Sequence, residues 1–232
     1  GQHTRGVLLA SPSNPTGTSV AAAELKAIHG VVQQHGGITM VDEIYLGLSY
    51  DDAFAQTALA INDQIISINS FSKYFNMTGW RLGWLVAPPS LVPVIESLAQ
   101  HLFICPSTIA QRAALACFEP ESLAEYERRR AEFKARRDFF IPALNELGLT
   151  VPVPPDGAFY AWADCREACR RLGLKDSWAF AEHLMQHAHV AVTPGRDFGT
   201  HAPGDHVRFS TASSLQDLNT AAKRIQSLLE AA

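Results

Sequence analysis

Short apolar runs separated by turn-forming residues dominate the first part of the chain. The runs Val7–Ala10, Ile38–Val41, Ile65–Ile68 and Trp84–Ala87 are each followed by polar or turn residues. Because each is apolar at successive positions rather than at alternate ones, they indicate strands covered on both faces, as in a parallel sheet. The segment Val20–Gln34 has helical character, so the pattern predicts βαβ units of an α/β fold.

After the fourth run the apolar spacing becomes helical. Two helices are predicted over Leu91–Leu102 and Thr108–Phe118, separated by a break at Cys105-Pro106. A long amphipathic helix is predicted over Glu121–Leu147, in which Pro142 would introduce a kink or end the first part.

The long helix carries opposite charges four residues apart, Glu125 with Arg129 and Glu132 with Arg136. Its Arg128-Arg129-Arg130 run could bind phosphate or nucleic acid. Neighbouring acidic residues would neutralise that run, so we interpret it as a solvated helix face.

From Leu149 onward the pattern is α+β and predicts a second, smaller domain. The predicted elements are, in order, strand Ala158–Ala163, helix Asp176–His187, strands Val190–Thr193 and His206–Thr211, and helix Leu215–Leu229. We therefore predict two domains, residues 1–125 and residues 126–232, bridged by the helix over residues 121–147.

Composition narrows the class of protein. The net charge is −4, with 47% hydrophobic and 18% charged residues, which is typical of a folded protein and argues against non-specific nucleic-acid binding. We find no apolar run long enough for a membrane-spanning helix, and expect no membrane partner. The four cysteines lack the density and spacing of a disulfide framework, which favours a reducing, cytoplasmic location.

Several common motifs are absent from the sequence: GxGxxG, GxxxxGK[ST] and GxSxG. His183 and His187 are four apart but lack the glutamate of a zinc protease, and we interpret Cys165 and Cys169 as structural, so no metal site is predicted. Ser70 and Lys73 match the SxxK element of penicillin-recognising enzymes, but the companion KTG and SDN tripeptides do not occur.

Polar residues cluster where the apolar runs end, which is where α/β sheets bind ligands. Ser11–Gly17 follows the first run, and Asp42–Tyr45 ends the second. Ser70–Lys73 follows the third run, and Thr78–Trp84 leads into the fourth. Each alone is a common turn or cap, but their joint occurrence in this order is specific.

Together with Gly157–Tyr160, Pro194–Gly199 and Val207–Ser210, these segments resemble the fold-type I aminotransferases, the pyridoxal-phosphate enzymes related to aspartate aminotransferase. The resemblance extends over essentially the whole chain. It implies part of the large cofactor-binding domain, with a mainly parallel sheet and flanking helices, followed by a smaller α+β C-terminal domain.

The resemblance implies roles for four residues around the cofactor ring. Lys73 would form the Schiff base with pyridoxal 5'-phosphate. Asp42 would keep a proton on the pyridine nitrogen, because a nearby anion raises the pKa of that nitrogen and keeps the ring an electron sink. Tyr45, together with Asn14, would donate to the phenolic oxygen of the ring.

Further residues would bind the phosphate and the substrate. Arg81, with the hydroxyls of Ser70 and Ser72, would hold the cofactor phosphate through charge-assisted hydrogen bonds. Arg208 would bind the substrate α-carboxylate in a planar, two-point contact, beside Asn14. The family also suggests a cis peptide bond before Pro15.

The implied reaction is transamination between an L-amino acid and a 2-oxo acid, by a homodimer in the full-length protein. The family's large domain begins further upstream, so we expect this chain to be an N-terminally truncated portion that is inactive or stabilised by a partner. Three alternatives stay open: a carbon–sulfur lyase of the same fold, the cofactor-sensing domain of a winged-helix transcriptional regulator, and a decayed scaffold.

Overall fold

A computed structural model describes Gly1 and residues 3–231 of the chain. The chain divides into two compact units. The first unit comprises Gly1–Ser13, Ser19–Arg130 and Asp156–Ala158, and the second comprises Asn14–Thr18, Ala131–Pro155 and Phe159–Ala232. The domain limits predicted above, and the bridging role of residues 121–147, stay predictions.

The first unit is built on a four-stranded sheet with strand order β1-β2-β3-β4. The strands are β1 (Gly6–Ala10), β2 (Ile38–Asp42), β3 (Ile66–Ser70) and β4 (Gly83–Val86). Strands β1, β2 and β3 are parallel. The α/β class is confirmed, since the helix α1 (Ala22–Gln34) connects the first two parallel strands.

Strand β4 differs from the prediction in direction and in burial. It pairs with β3 antiparallel, because residues 71–82 contain no crossover helix that would return the chain to the same end of the sheet. All four of its residues are exposed, including Trp84 and Leu85. The prediction of four parallel strands covered on both faces is therefore wrong for β4. The covering is also incomplete for β1, where Leu8 is 62% exposed.

Helix α1 is fixed to the sheet by one polar and several apolar contacts. The ring Nδ1 of buried His29 lies 2.9 Å from Oγ1 of Thr39 on β2. Leu25 of the helix packs in a buried cluster with Val41 and Ile65. The helix ends before Gly36, whose φ of 65° is the left-handed conformation that glycine adopts without strain.

Three further helices follow β4. They are α2 (Val92–Leu102), α3 (Thr108–Leu115) and α4 (Pro120–Glu146). The hydroxyl of Ser107 caps α3 by accepting from the backbone N–H of Ala110. Helix α4 continues through Pro142, so of the two predicted effects of this proline, a kink or an end of the first part, the end is wrong.

The charges of α4 pair as the sequence predicts. Arg128 and Arg129 both bind the carboxylate of Glu125, and Arg130 binds Glu127 at 2.7 Å. Hydrogen bonds from Arg128 and then from Arg129 lower the pKa of Glu125 to about 2. The arginine run is therefore neutralised by its own helix, as predicted.

The second unit has a three-stranded antiparallel sheet in the order β5-β7-β6. Its strands are β5 (Tyr160–Asp164), β6 (Thr193–Pro194) and β7 (His206–Ser210). Its helices are α5 (Arg166–Leu172), α6 (Ser177–His183) and α7 (Leu215–Glu230). One continuous buried cluster joins α4, the sheet and these helices through residues such as Phe140, Phe180, Val207 and Ile225.

Two predictions for the second unit need correction. The strand predicted over Val190–Thr193 is limited to Thr193–Pro194, because Val190 donates its N–H to Leu184 O and so caps the π-helical turn Leu184–Ala188. Helix α5 was not predicted because it is short. It has seven residues and ends at Gly173, whose φ is 65°.

No helix in the described part of the chain has the length and apolarity needed to cross a bilayer. All four cysteines are free thiols: Cys105 is exposed, whereas Cys117, Cys165 and Cys169 are buried. The structural interpretation of Cys165 and Cys169 agrees with their place in the core of the second unit.

Two adjacent phenylalanines of α4 provide a test of this core. Phe140 is 1% exposed and its ring centroid lies 5.8 Å from that of Phe209, whereas Phe139 is 37% exposed. We expect Phe140→Ala to lower the free energy of unfolding by about 3–5 kcal/mol. The control Phe139→Ala should cost about 1 kcal/mol or less. Urea unfolding measures both, and equal losses would contradict the assigned helix face.

Candidate functional site

The register of the parallel strands places the predicted polar residues at one edge of the sheet. Asp42, the last residue of β2, pairs with Ala10 of β1 and with Ile68 of β3. Ser70 is the last residue of β3, two positions beyond Ile68. The segments that follow all three strands therefore begin at the carboxyl edge of the sheet, the usual ligand-binding edge of α/β proteins.

The turn after β2 holds Asp42 and Tyr45. Oδ1 of Asp42 accepts a hydrogen bond from the N–H of Ile44 at 3.1 Å, which is an Asx-type turn. No other hydrogen bond reaches the Asp42 carboxylate from the described residues. Tyr45 is only 5% exposed and begins the short 3₁₀ turn Leu46–Leu48. The carboxylate thus keeps an oxygen available to a ligand.

The loop over residues 71–82 carries Lys73 and is closed by its own backbone. Phe71 N–H donates to Leu82 O at 3.1 Å, and Asn76 N–H donates to Lys73 O at 3.0 Å. The hydroxyl of Ser70 accepts from the N–H of Ser72 at 3.0 Å. These bonds fix the backbone on both sides of Lys73, so that the position of the lysine is set by the loop.

The structure brings two of the predicted catalytic side chains together. Nζ of Lys73 lies 5.7 Å from the ring centroid of Tyr45. The next residue, Tyr74, packs its ring against Gly47, where an added Cβ would lie 2.6 Å from Cγ of Tyr74. The loop with Lys73 and the turn with Tyr45 are therefore in direct contact.

Tyr74 is anchored at its other end by an acid that the sequence did not indicate. Its hydroxyl donates to Oε1 of Glu127 at 2.6 Å. Burial, and then this hydrogen bond, raise the pKa of Tyr74 above its ordinary value, so the phenol stays protonated and keeps donating. Arg130, which pairs with Glu127, also donates to Ser49 O at 3.0 Å and so holds the end of the turn after Tyr45.

Arg81 occupies a left-handed backbone position at φ 53° and is exposed. Its Nη1 donates to Thr78 O at 3.0 Å, and Oγ1 of Thr78 donates to Ser72 O at 2.6 Å. Within the described residues, no hydrogen bond joins the guanidinium to Ser70 or Ser72. The phosphate-binding role of these three residues stays a prediction.

In the second unit, the structure brings Arg208 and Asn14 together. Nη1 of Arg208 donates to Oδ1 of Asn14 at 2.7 Å, and Nη2 donates to Oγ1 of Thr193 at 3.2 Å. The guanidinium lies over the rings of Tyr160 and Phe198, at 4.4 and 4.7 Å from their centroids. Thr193 and Phe198 were not assigned roles from the sequence.

Within the described part of the chain, this arrangement leaves the charge of Arg208 unpaired. Among the described residues, no carboxylate contacts the guanidinium, and its buried Nε has no hydrogen-bond partner. A buried, unpaired donor costs free energy unless a ligand satisfies it. Arg208 is therefore suited to bind an anion, and a carboxylate matches its planar geometry.

The peptide bond between Asn14 and Pro15 is cis, as the family resemblance suggested, and so is the bond between Ser11 and Pro12. Because Oδ1 of Asn14 accepts from Arg208, its Nδ2 is directed away from that contact and can donate elsewhere. This orientation agrees with the predicted role of Asn14 as a donor, which stays a prediction.

His183 and His187, which are four apart in the sequence, lie side by side. The rings of His183 and His187 lie 4.3 Å apart between centroids, and desolvation, then His187, lowers the pKa of His183. The described part of the chain contains no group of three or more histidine, cysteine or acidic residues that could hold a metal ion.

Known proteins that are similar to this chain in sequence and structure are aminotransferases. A family model for aminotransferase class I and II matches residues 1–225. A valine–pyruvate aminotransferase of Mycobacterium tuberculosis is 39% identical over 227 residues, which cover 97% of this chain and 57% of the relative. An aspartate aminotransferase of Geobacillus stearothermophilus is 38% identical over 233 residues, covering 98% of this chain and 58% of the relative.

A crystal structure of an aminotransferase from Mycobacterium tuberculosis superposes with a TM-score of 0.92 at 38% identity. The match covers 98% of this chain and 58% of that structure. The chain therefore spans less than two thirds of the length of the relatives that it matches.

Class I and II aminotransferases generally use pyridoxal phosphate, and the donors of this chain fit that group. An aldehyde needs an amine, and Lys73 provides one beside the phenol of Tyr45. A protonated ring nitrogen needs an anion, and the Asp42 carboxylate has only one described hydrogen bond. The residues of the first unit thus match the chemistry of the cofactor.

The contact between Gly47 and Tyr74 gives a testable consequence. In Gly47→Ala the added Cβ would meet three atoms of Tyr74 within 2.9 Å, so the turn or the ring must shift. We expect a loss of about 1–3 kcal/mol in the free energy of unfolding. The control Gly30→Ala, where a Cβ has open space in α1, should instead stabilise by about 0.5–1 kcal/mol. Denaturant titration of the full-length protein would contradict the packing if both variants were equally stable.

Proposed function

Because the chain belongs to the family of class I and II aminotransferases, we propose that the protein transfers the amino group of an L-amino acid to a 2-oxo acid, using pyridoxal 5'-phosphate. The observation that carries this proposal is the position of the Lys73 amine, 5.7 Å from the centroid of the Tyr45 ring. Both residues lie in segments that follow parallel strands, at the edge of the sheet where Asp42 ends β2.

The bound cofactor would supply an electron sink for the carbon acid of the substrate. Residues of this chain would bind and orient the cofactor. Asp42 would hold a proton on the ring nitrogen, since an anion beside that atom favours its charged form. Tyr45 and Asn14 would donate to the phenolic oxygen, and Ser70, Ser72 and Arg81 would bind the phosphate.

Lys73 would act as the general base and then the general acid. Its amine would take the proton from the substrate Cα and return it across the nitrogen to the former aldehyde carbon of the cofactor, which is the shift that transamination requires. The closed backbone of residues 71–82 supports this role, because a proton-transfer group must be held at a fixed distance.

Arg208 would bind the α-carboxylate common to amino acids and 2-oxo acids. The absence of an acidic partner for this guanidinium among the described residues supports the assignment, since a carboxylate would pair with its charge. Asn14 and Thr193 would keep the guanidinium plane fixed while the substrate exchanges.

We further propose a homodimer that acts in the cytoplasm. Large exposed apolar side chains, among them Leu98, Leu102 and Ile104, support a protein partner for the region after β4. The free thiols support a reducing compartment. Rates with a panel of amino acid and 2-oxo acid pairs would identify the substrates, since the relatives named above differ in theirs.

Replacing Lys73 tests the proposed cofactor site. In the full-length protein, Lys73→Ala should abolish the visible absorbance of lysine-bound cofactor and reduce turnover by at least about 10³-fold, because both covalent attachment and proton transfer are lost. Lys26→Ala, at an exposed position of α1, is the matched control and should change neither. Retention of the lysine-bound absorbance in Lys73→Ala would place the cofactor elsewhere.

Replacing Arg208 tests substrate binding. Lysine keeps the charge but loses the two-point contact, so Arg208→Lys should raise KM for the amino acid by about 10–100-fold. The control Arg224→Lys changes an exposed arginine of α7 and should leave KM within about twofold. Steady-state kinetics with one substrate varied measures both, and an unchanged KM in Arg208→Lys would refute the assigned role.

A further inference from the structure

One buried acid beside the proposed cofactor residues has no part in the chemistry described so far. Glu43 stands between Asp42 and Tyr45 in the chain, and it is only 3% exposed. A glutamate at a solvent-accessible sheet edge would ordinarily be hydrated, because burying a carboxylate is costly unless its oxygens are hydrogen-bonded.

The carboxylate of Glu43 is bound by neutral donors. Oε1 accepts from the N–H of Ala58 at 2.6 Å, and Oε2 accepts from the hydroxyl of Thr57 at 2.8 Å and from the hydroxyl of Ser67. No cation pairs with this carboxylate in the described chain. Hydrogen bonds to an ionised acceptor are stronger than neutral ones, so this set holds the side chain firmly.

The donors come from two separate parts of the first unit. Ser67 lies on β3, and its hydroxyl also accepts from Nδ2 of Asn69 at 2.8 Å. Thr57 caps the short turn Ala58–Ala60 by accepting from Leu59 N–H at 3.3 Å. Glu43 therefore fastens the end of β2 to the neighbouring strand and to a loop.

The backbone of Glu43 is held as well. Its N–H donates to Ile68 O at 2.8 Å, and its carbonyl accepts from Leu46 N–H at 2.8 Å. Asp42 is its immediate neighbour, and Tyr45 lies inside the turn that this second bond closes. The bonds at Glu43 therefore restrict the backbone positions from which the side chains of Asp42 and Tyr45 leave the chain.

From these contacts we propose that Glu43 is a positioning residue, whose buried carboxylate sets the directions in which Asp42 and Tyr45 face the cofactor ring. This inference rests on the proposed function. It adds a residue that does not touch the cofactor but determines the electrostatic environment of the ring through its two neighbours.

The test replaces Glu43 with its isostere in the full-length, cofactor-loaded protein. In Glu43→Gln an amide NH₂ takes the place of one of the two acceptor oxygens, so the hydrogen bonds from Ala58, Thr57 and Ser67 cannot all be kept with their present donors. We expect the pKa of the visible cofactor absorbance to shift by at least about 0.5 units. We also expect kcat to fall by roughly tenfold, with KM for the amino acid within about twofold, because Arg208 is untouched.

A milder variant keeps the proposal testable if Glu43→Gln fails to fold. Thr57→Val removes one donor and preserves the shape of the side chain, and it should shift the same absorbance pKa in the same direction by a smaller amount. The control Glu24→Gln, at an exposed position in the first turn of α1, should leave the absorbance pKa and kcat unchanged.

The outcomes separate this inference from the proposed function. If Lys73→Ala loses the absorbance but Glu43→Gln and Thr57→Val lower only the unfolding temperature, with the absorbance pKa unmoved, then Glu43 is merely structural and the inference is overturned. If Lys73→Ala keeps the absorbance, the proposed function itself fails.

Discussion

Parallel pairing of β1, β2 and β3 is the constraint on which the first unit depends. Parallel strands end at the same edge, so the register that aligns Ala10, Asp42 and Ile68 also gathers the segments that follow them. Residues that are far apart in the chain therefore lie at one edge of the sheet. The strand pairing brings them there, and no contact between their side chains is needed. The sheet therefore determines where the candidate site lies, and the turns that follow its strands carry the polar side chains.

A sheet edge is useful for chemistry only if the turns that leave it are rigid. Here rigidity comes from polar groups that face inward: the carboxylate of Glu43 under the turn after β2, and the backbone bonds that close residues 71–82. Contact between Tyr74 and Gly47 then couples the two turns. Each of these contacts restricts the site by excluding alternative backbone positions, which lowers the entropic cost of orienting a ligand.

The proposed function requires the second unit to hold the Arg208 cation so that it stays available to a ligand. A carboxylate of the protein would pair with Arg208 and compete with any anionic ligand, whereas neutral partners orient the guanidinium and leave its charge uncompensated. Asn14 and Thr193 accept from its two terminal nitrogens, and the rings of Tyr160 and Phe198 lie against its faces. Aromatic rings attract a cation without neutralising it, which suits a site whose ligand must come and go.

The sequence by itself determined the α/β class, most element positions and the neutralised arginine run of α4, because apolar periodicity and charges within one helix are local properties. It also selected residues such as Lys73 and Tyr45, which proved to be neighbours, through motifs at strand ends. Only the tertiary structure decided the antiparallel direction of β4, the burial of Glu43 and the contacts of Thr193 with Arg208. These features depend on partners that are distant in the chain. The pattern of apolar and polar residues around a position does not indicate which distant segment will pack against it.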